Sequence, residues 1–377
     1  MAGHLQVFSG SFSVIERRAR GFSDPIERLR YLRHASAAPR RLSSRTGWIA
    51  QFALVMVMVT MRSDAINRQS PSPRTWPAAV STVSEMPDIW PVEQTAEFDL
   101  YSNGLRIENR LAISNEPRLY YLIARDSGTL GPVRTQPAGI LFHTTESDQA
   151  PFEAEQKHVL KRIGQDLLLY VRNKRAYHFV IDRFGRVHRI VVESDAANHA
   201  GHSVWADPKW SYLDLNASFL GVAFEARTEA DHAPITEAQL RAAKALTEML
   251  RAKYNLPAEN CVVHAQVSVN PSNMRIGWHT DWGNNFPFRQ MGLPDNYQIP
   301  NPSLYLFGFV YDSNYTNSTG PDLWTGLALA EERVRKAATE HGMAVPEYRK
   351  VLQQRFREAQ SASQHKSASE EYQHESN

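Results

Sequence analysis

Cysteine is nearly absent from this chain of 377 residues, in which Cys261 is the only one. A single thiol excludes a disulfide framework within the chain and any zinc ribbon built on several cysteines. An excess of one charge is also lacking, since 42 lysines and arginines stand against 40 aspartates and glutamates. The net charge of +2 gives no argument for a nucleic-acid partner. A metal bound here would therefore need histidine and carboxylate ligands, and 14 histidines are present.

Composition and length are those of a globular protein. The apolar fraction is 42% and the charged fraction 22%, which are ordinary values for a folded chain. A chain of this length forms one or two domains and buries a full core without disulfides. The sequence does not predict an oligomeric state.

Long apolar runs are scarce, with one exception near the start. Residues 1–47 are basic and patternless, and we expect them to be disordered. Residues 48–61 (WIAQFALVMVMVTM) carry no charge and are short for a bilayer span, which takes about 20 residues. They suit the apolar part of an export signal or a membrane anchor, although a buried core segment is the alternative. Residues 62–95 are rich in Ser, Pro and Thr, which indicates a linker.

Residues 96–315 are predicted to form one folded domain. Apolar runs bounded by turn residues predict strands at 118–124, 138–143, 177–192 (two strands joined by a turn), 219–226 and 261–265. Helical spacing predicts helices at 153–174 and 236–255, the second with a capping box formed by Thr236 and Gln239. Strands mixed with two main helices indicate an α/β or α+β domain. Helix-like runs predict a helical extension at 316–360, and the polar stretch 361–377 is predicted to be disordered.

Two histidines stand at the ends of predicted strands. His143 closes the run AGILFH, and His264 closes CVVH. The carboxyl ends of strands are where an α/β sheet opens onto a ligand cleft. The sequence His279-Thr280-Asp281 follows on an irregular segment. Two imidazoles and a carboxylate form a typical catalytic zinc set with a fourth position open for water.

The order of these motifs resembles the zinc-dependent N-acetylmuramoyl-L-alanine amidases, a family that includes phage amidase-type lysozymes and peptidoglycan recognition proteins. The resemblance covers residues 136–290. It is carried by six motifs: ILFHTTES, AYHFVIDRFGRVHRIV, NHAGHS, FLGVAFEA, VVHAQVS and HTDWGNNFPF. It implies an α/β fold with a central mixed sheet flanked by helices, here with N- and C-terminal extensions.

The resemblance also implies roles for site residues. His143, His264 and Asp281 would bind Zn²⁺, with His279 as the rival for the third position because the spacing from His264 is longer than usual. The family has a lysine two residues before the aspartate, where this chain has His279. An imidazole could still donate a hydrogen bond to an oxyanion, but its charge would depend on pH. Tyr177 matches the catalytic tyrosine of phage-type members.

Other family positions are less well matched. Some bacterial members carry a catalytic glutamate on the strand FLGVAFE, where the matching position is Ala223 and Glu225 lies two residues further on. His199 matches the family's His-Ala-Gly segment, and both a cleft-lining and a structural role stay open. Three aromatic residues could form a wall for substrate or simply pack: Trp278, Trp282 and Phe286.

The function implied by the resemblance is peptidoglycan hydrolysis. The bond cut would join N-acetylmuramic acid to the L-alanine of the stem peptide, so the partners would be peptidoglycan and muropeptides. The predicted export signal or anchor at 48–61 agrees with a place in the cell envelope, either periplasmic, secreted or membrane-attached. The alternatives are a peptidoglycan-binding module without catalysis and a zinc hydrolase of another amide.

Overall fold

The described part of the protein is residues 88–227 and 235–374 of a computed structural model. The predictions for 1–47 and 48–61 lie outside these residues, as does most of the predicted linker. Within them, no helix combines the length and the apolar character that crossing a membrane requires.

Fourteen strands are present in the described residues: β1 Pro91–Gln94, β2 Phe98–Tyr101, β3 Arg106–Glu108, β4 Tyr120–Ala124, β5 Leu130–Arg134, β6 Gly139–Thr144, β7 Phe179–Ile181, β8 Val187–Arg189, β9 Trp205–Ala206, β10 Trp210–Tyr212, β11 Phe219–Phe224, β12 Cys261–Val263, β13 Val269–Asn270 and β14 Arg275–Ile276. Eight form the main sheet, in the order β1-β2-β3-β8-β7-β11-β6-β12. Its strands β7, β11, β6 and β12 are parallel neighbours, whereas β8 and β2 run antiparallel to their partners β7 and β3. A four-stranded sheet (β5-β4-β10-β9) and the hairpin β13-β14 complete the strands.

Eight α-helices lie in the same residues: α1 Lys157–Asn173, α2 Leu215–Ser218, α3 Glu237–Tyr254, α4 His264–Val267, α5 Pro302–Phe307, α6 Ser313–Thr319, α7 Pro321–Glu340 and α8 Val345–His374. The start of α3 has the predicted capping box, in which the side chains of Thr236 and Gln239 each accept a hydrogen bond from the other's backbone N–H. The mixed sheet with helices confirms the predicted α/β class.

The middle of the main sheet is covered on both faces. Every residue of β6 and β11 is buried, and such unbroken apolar runs are typical of parallel strands with helices on each side. Because side chains alternate along a strand, Ala223 packs in a cluster with Leu168 and Val171 of α1. Val222 and Phe224 belong to the larger cluster that includes the apolar face of α3.

Three boundaries differ from those predicted. Strand β1 lies inside the predicted linker 62–95. Its backbone pairs with β2, although all four of its residues are exposed. Strand β12 ends at Val263, and His264 instead begins the short helix α4. Helix α8 continues to His374, into the predicted disordered tail 361–377. The division into domains at 96, 316 and 361 stays a prediction.

The segment after β12 is held by residues near the predicted end of the domain. The hydroxyl of Tyr315 on α6 donates to the carbonyl of Ala265 at 2.9 Å. Its ring lies over Gly277, whose φ is +83°, and a Cβ placed on Gly277 would be 2.2 Å from the ring. Only glycine meets both demands, since it tolerates positive φ and has no side chain to clash.

We expect Gly277→Ala to destabilise the protein more than Gly292→Ala. Both glycines have positive φ, so each change costs about 1–2 kcal/mol for the left-handed backbone. Gly292 has open space where a Cβ would lie, whereas a methyl group added at Gly277 would overlap the Tyr315 ring and cost a further ~1–3 kcal/mol. Urea unfolding of the two variants measures the difference. Equal losses would contradict a packing role for Gly277.

Candidate metal centre and active site

The two strand-end histidines meet at one edge of the main sheet. Strands β12 and β6 are parallel, with Val263 paired to Phe142. His143 follows Phe142 and His264 follows Val263, so the register places the two histidines side by side. Their ring centroids are 4.5 Å apart, and both side chains are buried. The carboxyl ends of these two strands thus bring His143 and His264 together.

Asp281 joins the histidines from the loop after β14. Its Oδ1 is 2.9 Å from Nδ1 of His264, and its Oδ2 is 3.4 Å from Nδ1 of His143. The backbone is fixed next to this contact, because the N–H of Ala265 donates to the Asp281 carbonyl at 3.1 Å. Both imidazoles thus present the same nitrogen to one carboxylate.

The spacing of these donors fits a tetrahedral metal ion. One ligand atom from each of His143, His264 and Asp281 lies within 4.8 Å of the others. Two ligands at about 2.0 Å from a tetrahedral zinc ion are about 3.3 Å apart, and the two nitrogen–oxygen distances of 2.9 and 3.4 Å lie close to that value. The donor set of two imidazoles and one carboxylate is one that zinc prefers.

The electrostatics of the cluster favour the protonation states of metal ligands. Burial, followed by the neighbouring His264, lowers the pKa of His143 to about 4. Burial alone would raise the pKa of Asp281, but His264 and His143 outweigh it and hold that pKa well below its usual range. At neutral pH His143 is therefore neutral and Asp281 ionised, as metal binding requires.

Tyr177 and His279 each lie beside one histidine of the cluster. The Tyr177 ring centroid is 5.1 Å from that of His143, and burial raises the pKa of its phenol, which stays protonated. His279 stacks on His264 with 4.6 Å between ring centroids and an interplanar angle of 19°. Its backbone N–H donates to the hydroxyl of Ser268 at 3.0 Å. The structure thus gathers all five predicted site residues, and Asp281, not His279, completes the three-donor group.

The strand glutamate is directed elsewhere. Ala223 pairs in register with His143, whereas the carboxylate of Glu225 accepts a hydrogen bond from the backbone N–H of Arg183 at 3.1 Å. It also faces Gly164 of α1, where a Cβ would lie 3.5 Å from it. The carboxylate of Glu225 thus lies between α1 and the turn after β7.

Only one of the three candidate wall aromatics is available to a substrate. Trp278 is 49% exposed next to His279. Trp282 and Phe286 are buried and pack on each other with 5.0 Å between ring centroids. Of the two alternatives, packing holds for Trp282 and Phe286, because both side chains fill the core behind the site.

One neighbour of the site had no assigned role in the sequence. His199 lies against His143, with 3.1 Å between His199 Nδ1 and His143 Nε2. The only sequence signal for it was the match to a His-Ala-Gly segment, which does not specify a contact. The pair is 56 residues apart in the chain, so no local pattern connects the two.

A family model connects this geometry to known proteins. Residues 133–284 match the model of a family described as N-acetylmuramoyl-L-alanine amidase. This match confirms the resemblance predicted over 136–290. No curated protein matches the chain.

Several solved structures are similar to the chain at low identity. One is the N-acetylmuramoyl-L-alanine amidase LysC from Clostridium intestinale (20% identity, 48% of this chain and 93% of that one, TM-score 0.27). Another is AmpDh3 from Pseudomonas aeruginosa in complex with anhydromuramic pentapeptide (20% identity, 44% of this chain and 63% of that one, TM-score 0.33). A third is the amidase AmiD from E. coli with an anhydro-N-acetylmuramic acid peptide substrate (18% identity, 63% of this chain and 89% of that one, TM-score 0.34). At these TM-scores the resemblance to the amidases rests on the family model alone.

We expect the metal-free protein to lose stability as the pH falls from about 6.5 to about 4. The unfolded chain binds a proton on each histidine below about pH 6.5, whereas buried His143 stays neutral until about pH 4. Burial also places the pKa of His178 and His199 well below the usual value. Between these pH values the unfolded state therefore binds more protons than the folded state. The free energy of unfolding must then decrease as the pH falls.

The measurement is urea unfolding of chelator-treated protein at several pH values across this window. In His143→Asn the dependence on pH should be roughly a third weaker, since one of three such groups is removed. A stability that rises as the pH falls from 6.5 to 4 would contradict the burial of neutral imidazoles.

Proposed function

We propose that the protein is a zinc-dependent amidase that hydrolyses the bond between N-acetylmuramic acid and the L-alanine of a peptidoglycan stem peptide. One observation carries the proposal: a three-donor group of Asp281 and the buried His143 and His264 lies inside the segment 133–284 that matches the amidase family. Tyr177 and His279 lie in the same segment and beside the same group.

His143, His264 and Asp281 are the residues that would hold zinc. The Nδ1 atoms of the two histidines converge with the carboxylate oxygens of Asp281. Burial lowers the pKa of His143, so at neutral pH no additional proton competes with the metal for this imidazole. When bound, zinc supplies a Lewis acid that polarises the amide carbonyl and activates water.

Tyr177 is suited to handle a proton. Its raised pKa keeps the phenol protonated, so the hydroxyl can donate a hydrogen bond or pass a proton to the leaving amine. The left-handed backbone of Tyr177, with φ at +64°, is unusual for a non-glycine residue. Such strain is often found where a side chain must take one position in an active site.

His279 takes the place that the family gives to lysine. Its ring is held nearly parallel to the His264 ring, next to the donor group and at the partly exposed edge of the site. An imidazole N–H here would stabilise the negative charge that develops on the amide oxygen. A peptidoglycan substrate supports a working location in the cell envelope, and attachment through residues 48–61 stays a prediction.

The decisive experiment measures zinc content and muropeptide hydrolysis on the full chain. We expect one zinc per chain and release of free stem peptide from the wild type. Both should be lost in His264→Ala and Asp281→Ala, because each removes a donor. His158→Ala, which changes an exposed histidine on α1, is the control and should keep both.

Each other outcome has a distinct meaning. Absence of zinc from the wild type would overturn the proposal. Bound zinc without cleavage would favour a peptidoglycan-binding module or the hydrolysis of another amide. Retention of zinc by Asp281→Ala would move the third ligand to His279.

Tyr177→Phe should separate catalysis from metal binding. We expect unchanged zinc content and a kcat lower by about 10²–10⁴-fold, the usual loss when a general acid or base is removed. KM should change little, because the phenyl ring keeps its contact with His143. Tyr170→Phe, on the exposed face of α1, is the matched control. A kcat equal to that of the wild type would remove Tyr177 from the mechanism.

A further inference from the structure

The imidazole of His199 supports His143 on the side that faces away from Asp281. The Nδ1 atom of His199 is 3.1 Å from Nε2 of His143, whereas Asp281 contacts the other nitrogen of His143. The two rings meet edge to face, with 5.2 Å between centroids and an angle of 81°. His264 lacks such support, since its Nε2 is buried without a hydrogen-bond partner among the residues that the structure describes.

The hydrogen bonds around His199 determine where its proton lies. The Nε2 atom of His199 is 3.3 Å from the carbonyl oxygen of Phe219, which can only accept. A neutral imidazole has one donor and one acceptor nitrogen. With Nε2 donating to Phe219, the Nδ1 atom of His199 must accept.

The same reasoning determines the tautomer of His143. If His199 Nδ1 accepts, then His143 Nε2 carries the hydrogen and donates it. The Nδ1 atom of His143 is then left with its lone pair, and this is the nitrogen that faces Asp281 at 3.4 Å. A metal ligand needs that lone pair, so the chain from the Phe219 carbonyl through His199 to His143 prepares His143 to bind.

The protein is shaped to hold His199 in this place. The backbone N–H groups of His199 and Ala200 both donate to the side-chain oxygen of Asn216, at 2.9 and 2.7 Å. On β11, Gly221 leaves room for the ring: a Cβ there would lie 2.6 Å from Cγ of His199. His199 is 8% exposed, so few other orientations are open to its side chain.

We propose that His199 is a positioning residue that fixes the tautomer and the ring orientation of His143 for metal binding. The proposal rests on the proposed function in that His143 is taken as a metal ligand, although it does not require cleavage of any substrate. Hydrogen-bond partners of ligand histidines typically contribute 10–100-fold to metal affinity. His199 is neutral, so it orients His143 without adding a second negative charge to the site.

A pair of variants of similar size tests the proposal on the full chain. In His199→Asn the side-chain oxygen can take the place of Nδ1 and accept the hydrogen bond, whereas the leucine of His199→Leu cannot. We expect His199→Leu to bind zinc about 10–100-fold more weakly and His199→Asn to stay within about threefold of the wild type. Competition with a chromophoric chelator at pH 7 measures both affinities.

Thermal unfolding of the metal-free variants serves as the control for a merely structural effect. A loss of stability in both variants with equal zinc affinities would overturn the proposal, as would equal losses of affinity in the two. Retention of wild-type affinity by His199→Leu would overturn it as well.

A measurement on the wild type keeps the test independent of how the variants fold. Nitrogen-15 NMR of the zinc-loaded protein should show the Nε2–H tautomer for His199, with its Nδ1 accepting from Nε2 of His143. An Nδ1–H tautomer at His199 would overturn the proposal. This result does not depend on hydrolysis, so a failure of the amidase function and a failure of His199 as a positioning residue can be told apart.

Discussion

The position of Asp281 depends on the burial of the residue that follows it. Trp282 is fully buried although its φ is +57°, a backbone conformation that costs about 1–2 kcal/mol in a residue with a side chain. Its ring packs edge to face on Phe224 and Phe286, with centroids 5.5 and 5.0 Å away. Burying a large aromatic side chain contributes several kcal/mol, roughly 25 cal/mol for each Å² of apolar surface. The aromatic core thus offsets the strain that turns the carboxylate of Asp281 toward the histidines.

Hydrogen bonds and later helices hold the same loop from the other side. The hydroxyl of Tyr297 donates to the carbonyl of Trp282 at 2.6 Å, and Tyr315 holds the carbonyl of Ala265 beside His264. Gly283 is in close contact with Thr319 of α6, which lies beyond the matched segment 133–284. The long segment between His264 and Asp281 is therefore held in place, because residues that follow the matched segment pack on it.

The sequence predicts those features that repeat along the chain or that belong to known motifs. Unbroken apolar runs predict β6 and β11, and the capping residue Thr236 predicts the start of α3. The order of the motifs predicts which histidines meet. The four-residue helix α4 is too short to show a helical period, so the strand prediction ran past Val263 into it. Contacts across the chain leave no local pattern either, which is why the burial of Trp282 and the pairing of His199 with His143 were not predicted.

Burying this cluster costs free energy when no metal is bound, because Asp281 is ionised. Its partner His143 is neutral at pH 7 because burial lowers the pKa of that imidazole to about 4. An ionised carboxylate away from water is unfavourable unless it is paired or coordinates a metal. The fold nevertheless holds the three donors at ligand spacing, because the aromatic core fixes Asp281 and the parallel register of β6 and β12 fixes the histidines. The energy that keeps the site in place therefore comes from the core around it, and a bound cation would pair with the charge of Asp281.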